Sequence, residues 1–265
     1  MFRFLLGCFI LFATSPARAD DATLALLFAK HHVNGTLIIS TLDGSQRWSH
    51  NDARARQRLP VASTFKILNT LIGLETGAIS GQGSEFKWDG TRHEISDWNH
   101  DQTLASAFKV SCVWCYQQLA TSVGADTYRK YLQLAGYGSL REPFDLTRFW
   151  LDGSLQVSAE EQIALLSKLY QRSLPFSTRS YDTLQKVMLA EQREGYRLYA
   201  KTGWASSHQP AIGWYVGYVE KGKAVWLFAS NIDIDNASQL PLRQALTHEA
   251  LRLKGVLPPA AQHTH

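Results

Sequence analysis

The sequence predicts an α+β fold: an antiparallel sheet covered by helices, with an all-helical subdomain inserted in the middle. Three observations point there. Strand-like runs cluster near both ends of the chain, at 35–50 and 212–232. Helical stretches dominate from Leu104 to Tyr170. The last two strand-like runs flank the short loop Lys221-Gly222-Lys223, a connection that antiparallel strands can use.

The elements follow in chain order. Met1-Phe2-Arg3, the apolar run Phe4 to Ala13 and the small-x-small triplet Ala17-Arg18-Ala19 read as an export signal cleaved after Ala19. An uncut N-terminal anchor is the alternative. Leu5-Leu6-Gly7-Cys8 faintly resembles a lipoprotein site, but the apolar run before Cys8 is too short. Residues 20–265 are then a single domain working outside the cytosol, in the periplasm, with no transmembrane anchor after cleavage. Gly35 to Leu42 is a β-branched strand, Asp43-Gly44 a turn, and Gln46 to His50 a returning strand. Leu59-Pro60 reads as a turn before a helix over Ser63 to Gly77. Ser158-Ala-Glu-Glu161 is a capping box opening a helix toward Tyr170. Ile212 to Glu220 and Ala224 to Ile232 form a hairpin. Leu242 to Leu253 closes the fold as a helix, and residues from Pro258 form a loose tail.

Composition narrows the function. Hydrophobic residues are 45% and charged residues 19%, too apolar for a disordered chain. A net charge of +4, falling to +2 once Arg3 and Arg18 leave with the signal, is too small a surplus to argue for nucleic acid. Gly-x-Ser-x-Gly, His-x-His-x-Asp and His-Glu-x-x-His are all absent, so a nucleophile-elbow hydrolase and a zinc hydrolase lack support, and no metal is expected.

Cys112 and Cys115 remain after cleavage. Ala105 to Leu119 reads as one continuous helix, on which positions three apart hold their Cβ atoms about 5–6 Å apart. A relaxed disulfide needs about 3.8 Å. The expectation is therefore two thiols packed in a helical core; a redox or zinc role is the alternative, and zinc would need two more ligands.

The catalytic candidate is Ser63-Thr-Phe-Lys66. One helical turn sets the lysine amine beside the serine hydroxyl, as an activated nucleophile requires. The motif alone is weak: three Ser-x-x-Lys pairs occur, Ser63/Lys66, Ser84/Lys87 and Ser106/Lys109, where chance gives about one. Only Ser63 opens an apolar helix (Ile67, Leu68, Leu71, Ile72, Leu74), where burial can depress the amine's pKa by as much as about 3–5 units. Ser111-Cys-Val113 and Lys201-Thr202-Gly203 follow in order, the second just before the final hairpin.

On these residues the sequence resembles the class D, oxacillinase-type serine β-lactamases. The resemblance spans essentially the whole mature chain. It rests on Pro60-Val-Ala-Ser63-Thr-Phe-Lys66, Leu71-Ile-Gly-Leu-Glu-Thr-Gly77, Phe86-Lys-Trp-Asp-Gly90, Ser111-Cys-Val113, Tyr137-Gly138, Phe149-Trp150-Leu151, Lys201-Thr-Gly203 and Leu240-Pro-Leu-Arg243. It implies hydrolysis of β-lactam antibiotics through an acyl-enzyme on Ser63. Lys66 would be the base as its carbamate, N6-carboxylysine, formed with carbon dioxide or bicarbonate; no other cofactor is implied. Ser111 would relay a proton to the leaving nitrogen, Val113 would keep the base pocket dry and Trp150 would hydrogen-bond the carbamate. Lys201, Thr202 and Gly203 would shape the substrate site, Arg243 would hold the substrate carboxylate, and the backbone N–H groups of Ser63 and Trp204 would form the oxyanion hole.

Independently, no Glu-x-x-x-Asn arrangement is present to activate a deacylating water, so another group must do so. One departure from the family pattern is Ser139 in place of the asparagine of Tyr-Gly-Asn, which bears on substrate profile more than on the reaction. A β-lactam sensor domain that stays acylated and a D-alanyl peptidase are the alternatives. Substrate spectrum and oligomeric state are left open.

Overall fold

The computed structural model describes residues 20–259. The expected export signal and the tail beyond Pro259 lie outside the described residues. Six strands form one antiparallel sheet in the order Arg47–His50, Gly35–Thr41, Ala224–Ile234, Ala211–Lys221, Tyr196–Ala205, Leu189–Arg193. The first and last thirds of the chain thus build the sheet together, Gly35 sitting opposite Ile232 and Thr41 opposite Trp226. The final hairpin and the Leu242–Leu253 helix lie where the sequence reading places them.

Both faces of the sheet are covered. Leu37, Ile39, Tyr215, Val219, Phe228 and Ile232 pack under the two terminal helices, Ala22–Lys30 and Leu242–Leu253. Ile38, Trp214, Val216, Tyr218, Leu227 and Ala229 point the other way, into a larger core shared with the middle helices. Double coverage explains why Gly35 to Ser40 is buried continuously rather than at alternate positions, since neither set of alternate side chains meets water. Within the larger core, helix Lys66–Glu75 is buried along nearly its whole length, from Lys66 to Gly73. Around it pack Val113–Val123, Ala125–Ala135, Ala159–Tyr170 and Thr178–Met188. The capping box holds: Glu161 N–H donates to Ser158 Oγ, and Ser158 N–H donates to the Glu161 carboxylate. Among the described residues no helix is long and apolar enough to cross a membrane.

Three local expectations are corrected. Leu59-Pro60 is a two-residue strand paired with Gln156 and Val157, so the segment entering the nucleophile turn is anchored by a small second sheet. The helix at Ser63 opens as a 3₁₀ turn over Ala62–Phe65. The reading of Ala105 to Leu119 as one helix fails at 110–112, where Leu104–Lys109 ends and Val113–Val123 begins. Cys112 is therefore the N-cap of the second helix rather than a residue inside one, with extended ψ of 117°. Its Cα lies 5.5 Å from that of Cys115, within the range a disulfide spans, and the two are joined by a disulfide. The packed-thiol expectation was wrong because it assumed helical spacing across a break.

Candidate active site

The nucleophile turn sits between the sheet and the helical part. Trp214, from the sheet, donates its indole N–H to Pro60 O at 2.9 Å. Thr64 Oγ1 donates to Val61 O at 2.7 Å. Ala62 adopts φ +49°, a left-handed conformation that a non-glycine residue holds only when its surroundings force it. These contacts fix the chain on entry to Ser63, whose residue is 9% exposed.

Lys66 is fully buried, and its Nζ lies 2.9 Å from Ser63 Oγ in hydrogen-bond contact. The ring of Tyr116 lies 4.9 Å from the same nitrogen. Loss of hydration alone pulls the ammonium pKa down to about 7. Trp150 is also fully buried, packed against Phe65 and Phe149. Its indole N–H has no hydrogen-bond partner among the described residues. A buried donor without a partner is costly, so an acceptor placed beside this nitrogen would be favoured.

Across the cleft, Ser111 occupies the break between two helices, with φ +56°. Lys201, from the strand Tyr196–Ala205, donates to Ser111 Oγ, and reaches Thr202 O at 3.2 Å and Thr202 Oγ1 at 3.3 Å. Burial holds the Lys201 pKa well below its ordinary value, and repulsion from Lys66 and Arg243 adds to this. Arg243, in the first turn of the last helix, donates Nη1 to Gly203 O at 2.8 Å. Burial lowers its pKa to about 10, so it stays charged at neutral pH.

Gly203 explains how the two sides come so close. A Cβ there would lie 3.1 Å from Thr64 Cγ2 and 3.3 Å from Thr64 N. A side chain at this position would be tight against Thr64 and Trp214, and glycine lets the Lys201 strand approach the Ser63 turn without displacing them. The cleft between them has a volume of about 700 Å³. Ser63, Ser111, Val113, Thr202, Gly203, Trp204 and Arg243 all line it, while Lys66 and Trp150 are buried out of solvent reach. The structure thus gathers all ten candidate residues, with Lys201 joined through Ser111.

The sequence reading missed several neighbours. Ile95, Trp98 and Leu151 form an apolar stretch of the cleft, and Lys109 and Arg148 add cations to a lining that holds no Asp or Glu. Gln162 is fully buried; its Nε2 donates to Thr64 Oγ1 at 2.8 Å and its Oε1 accepts from Tyr137 OH at 2.9 Å. One signal was available: Gln162 falls on the buried stripe of its helix with Ala159, Leu165, Leu166 and Leu169. Tyr137 thereby supports the nucleophile turn at second hand. Ser139 is exposed and does not line the cleft, so the departure from asparagine lies away from the reacting groups.

Comparison with known proteins agrees with this geometry. Residues 34–252 match the penicillin binding protein transpeptidase domain family. Beta-lactamase OXA-48 of Klebsiella pneumoniae is 39% identical over 231 residues, 87% of each chain. Beta-lactamase OXA-5 of Pseudomonas aeruginosa is 37% identical over 92% of this chain and 93% of its own. The chain belongs to the class D serine β-lactamases. Solved class D structures share its architecture. The class D β-lactamase YbXI from Nostoc superposes with a TM-score of 0.86 at 39% identity, over 88% of this chain and 99% of its own. FUS-1 (OXA-85), a class D β-lactamase from Fusobacterium nucleatum, gives 0.87 at 32% identity over 90% and 100%. Class D membership assigns the antiparallel sheet with its helical layer to the transpeptidase-like fold.

Proposed function

We propose that this protein hydrolyses β-lactam antibiotics through an acyl-enzyme on Ser63. The carrying observation is the fully buried Lys66 amine 2.9 Å from Ser63 Oγ; Trp150, packed against Phe65 next to Lys66 in the chain, carries a buried indole N–H without a partner among the described residues. A lysine with a pKa near 7 is substantially unprotonated at neutral pH, so it can take the hydroxyl proton as Ser63 attacks the lactam carbonyl. Gly203 lies close to Thr64, next to Ser63, and the backbone N–H groups of Ser63 and Trp204 would stabilise the developing oxyanion. Ser111, held by Lys201, would pass a proton to the ring nitrogen as the amide bond breaks. Arg243, with Thr202 beside it in the cleft, would bind the substrate carboxylate; its charge survives at neutral pH.

A carbamate on Lys66 fits the pocket. Forming it needs an unprotonated amine, which burial supplies, and its oxygens would accept the unpaired N–H of Trp150. When present, such a carbamate would supply the oxygen base for both acylation and the deacylating water. Val113, from the cleft wall, would limit bulk water near Lys66. Carbon dioxide or bicarbonate is then the only accessory species required. The export signal at 1–19 supports action in the periplasm.

The deciding experiment incubates the mature protein with a chromogenic cephalosporin, with and without added bicarbonate, and follows turnover and intact mass. Sustained hydrolysis that rises with bicarbonate is the expected result. A single equivalent of stable adduct would identify a sensor. Cleavage of D-alanyl peptides without β-lactam turnover would identify a peptidase.

A further inference from the structure

We propose that the Cys112–Cys115 disulfide is a positioning element for catalysis, holding the turn that aims Ser111; the inference rests on the hydrolase reading above. The left-handed φ of +56° at Ser111 is unfavourable for a residue with a Cβ and persists only where both flanks are fixed. On its N-terminal side they are: Ser111 N–H donates to Phe108 O at 3.3 Å, and Cys112 N–H donates to Ala107 O at 2.9 Å, closing the helix Leu104–Lys109. On the C-terminal side, the helix Val113–Val123 starts with a cysteine N-cap whose sulfur accepts from Cys115 N–H at 3.2 Å. Sulfur is a weak acceptor and cysteine is not among the favoured caps, so this contact alone anchors the turn poorly. The covalent bond supplies the missing anchor. It closes a four-residue ring containing Val113, which lines the cleft, and Trp114.

A purely global stabilising role fits less well. Cross-linking gains from the unfolded chain grow with the length of the closed loop, and this loop is among the shortest available. Its effect is therefore concentrated on local geometry, next to Ser111 Oγ and the Lys201 amine that donates to it. Both cysteines are fully buried, so once formed the bridge is shielded from solution thiols. Formation oxidises the two thiols to one disulfide, transferring two electrons and two protons to a disulfide-class oxidant that leaves as a dithiol. Full activity then depends on folding in a compartment that supplies such an oxidant, as export would provide.

The test compares wild type with Cys115→Ala, which breaks the bridge but keeps the Cys112 sulfur as a cap. Stopped-flow acylation by a chromogenic cephalosporin separates the acylation rate constant from the substrate dissociation constant. Acylation should fall about tenfold, the equivalent of roughly 1.4 kcal/mol in barrier, with the dissociation constant within about twofold. Wild type unfolded in dithiothreitol and refolded with its thiols reduced should show the same loss, and should regain its rate after unfolding and reoxidation, which keeps the test valid should the variant misfold. A variant that melts earlier but acylates at the wild-type rate would show a structural bridge only and overturn the proposal. Two free thiols titrated in unfolded, unreduced wild type would overturn it as well. Failure of the oxidised wild type to acylate at all would overturn the hydrolase reading, and this inference with it.

Discussion

Lys66 and Lys201 lie behind opposite walls of the same cleft, each a buried amine against a serine hydroxyl that lines it, yet they are built differently. Lys66 lies on a fully buried helix with aromatic neighbours, and burial alone depresses its pKa. Lys201 lies on a sheet strand, and its pKa is held down first by burial and then by two other cations, Lys66 and Arg243. The first environment persists whatever occupies the cleft. The second also carries the repulsion of Lys66 and Arg243, part of which an anionic occupant would offset. In the proposed mechanism the helical side would take the proton, and the sheet side would recognise charge and relay a proton.

The largest effect should come from the helical side. Ser63→Ala should abolish turnover and covalent labelling by benzylpenicillin, because no other hydroxyl has Lys66 beside it. Intact mass reads the result, and a stable penicilloyl adduct on the variant would remove Ser63 as the nucleophile. Trp150→Phe comes next. It keeps much of the apolar wall but loses a hydrogen bond to charge worth about 1.5–3 kcal/mol, a factor of roughly ten to a hundred. Deacylation should slow by that factor in carbon dioxide-depleted buffer and recover in part with bicarbonate. A full-rate variant in depleted buffer would make Trp150 a packing residue.

On the sheet side the effect should be smaller and of another kind. Arg243→Ala removes binding made in both ground and transition states, so KM for benzylpenicillin should rise about five- to tenfold with kcat little changed. An unchanged KM would break the assignment of charge recognition to this side.

The smallest effect concerns stability. In the unfolded chain Lys66 keeps its proton up to about pH 10.5, whereas in the fold it loses it near 7. Between those values the unfolded state binds more protons, so this group makes stability rise with pH across the window and carries its full cost at pH 7 and below. Lys66→Met should therefore melt a few degrees higher than wild type at pH 7 in bicarbonate-depleted buffer, with the gap closing toward pH 10. A gap independent of pH would contradict the neutral, buried amine. The same titration should lower wild-type kcat/KM as pH falls through about 7.

The sheet-forming ends, the helical middle, the final hairpin, the capping box at Ser158 and the Ser63/Lys66 pair are local signals, legible from periodicity, turn residues and short spacings within a few positions. Arg243 is singled out by the resemblance to class D motifs. The remaining features come from contacts between distant parts of the chain. Nothing near Gln162 in sequence marks it as the link between Tyr137 and Thr64, because its partners lie 25 and 98 residues away. The break at Ser111 escaped the helical reading because a left-handed residue is chosen by the packing on both its flanks. That break carries Cys112 out of helical geometry, and a disulfide joins it to Cys115. The pKa of Lys66 is the clearest case: a lysine one turn after a serine is unremarkable in sequence, and becomes a base only when a whole core closes over it and takes its water away.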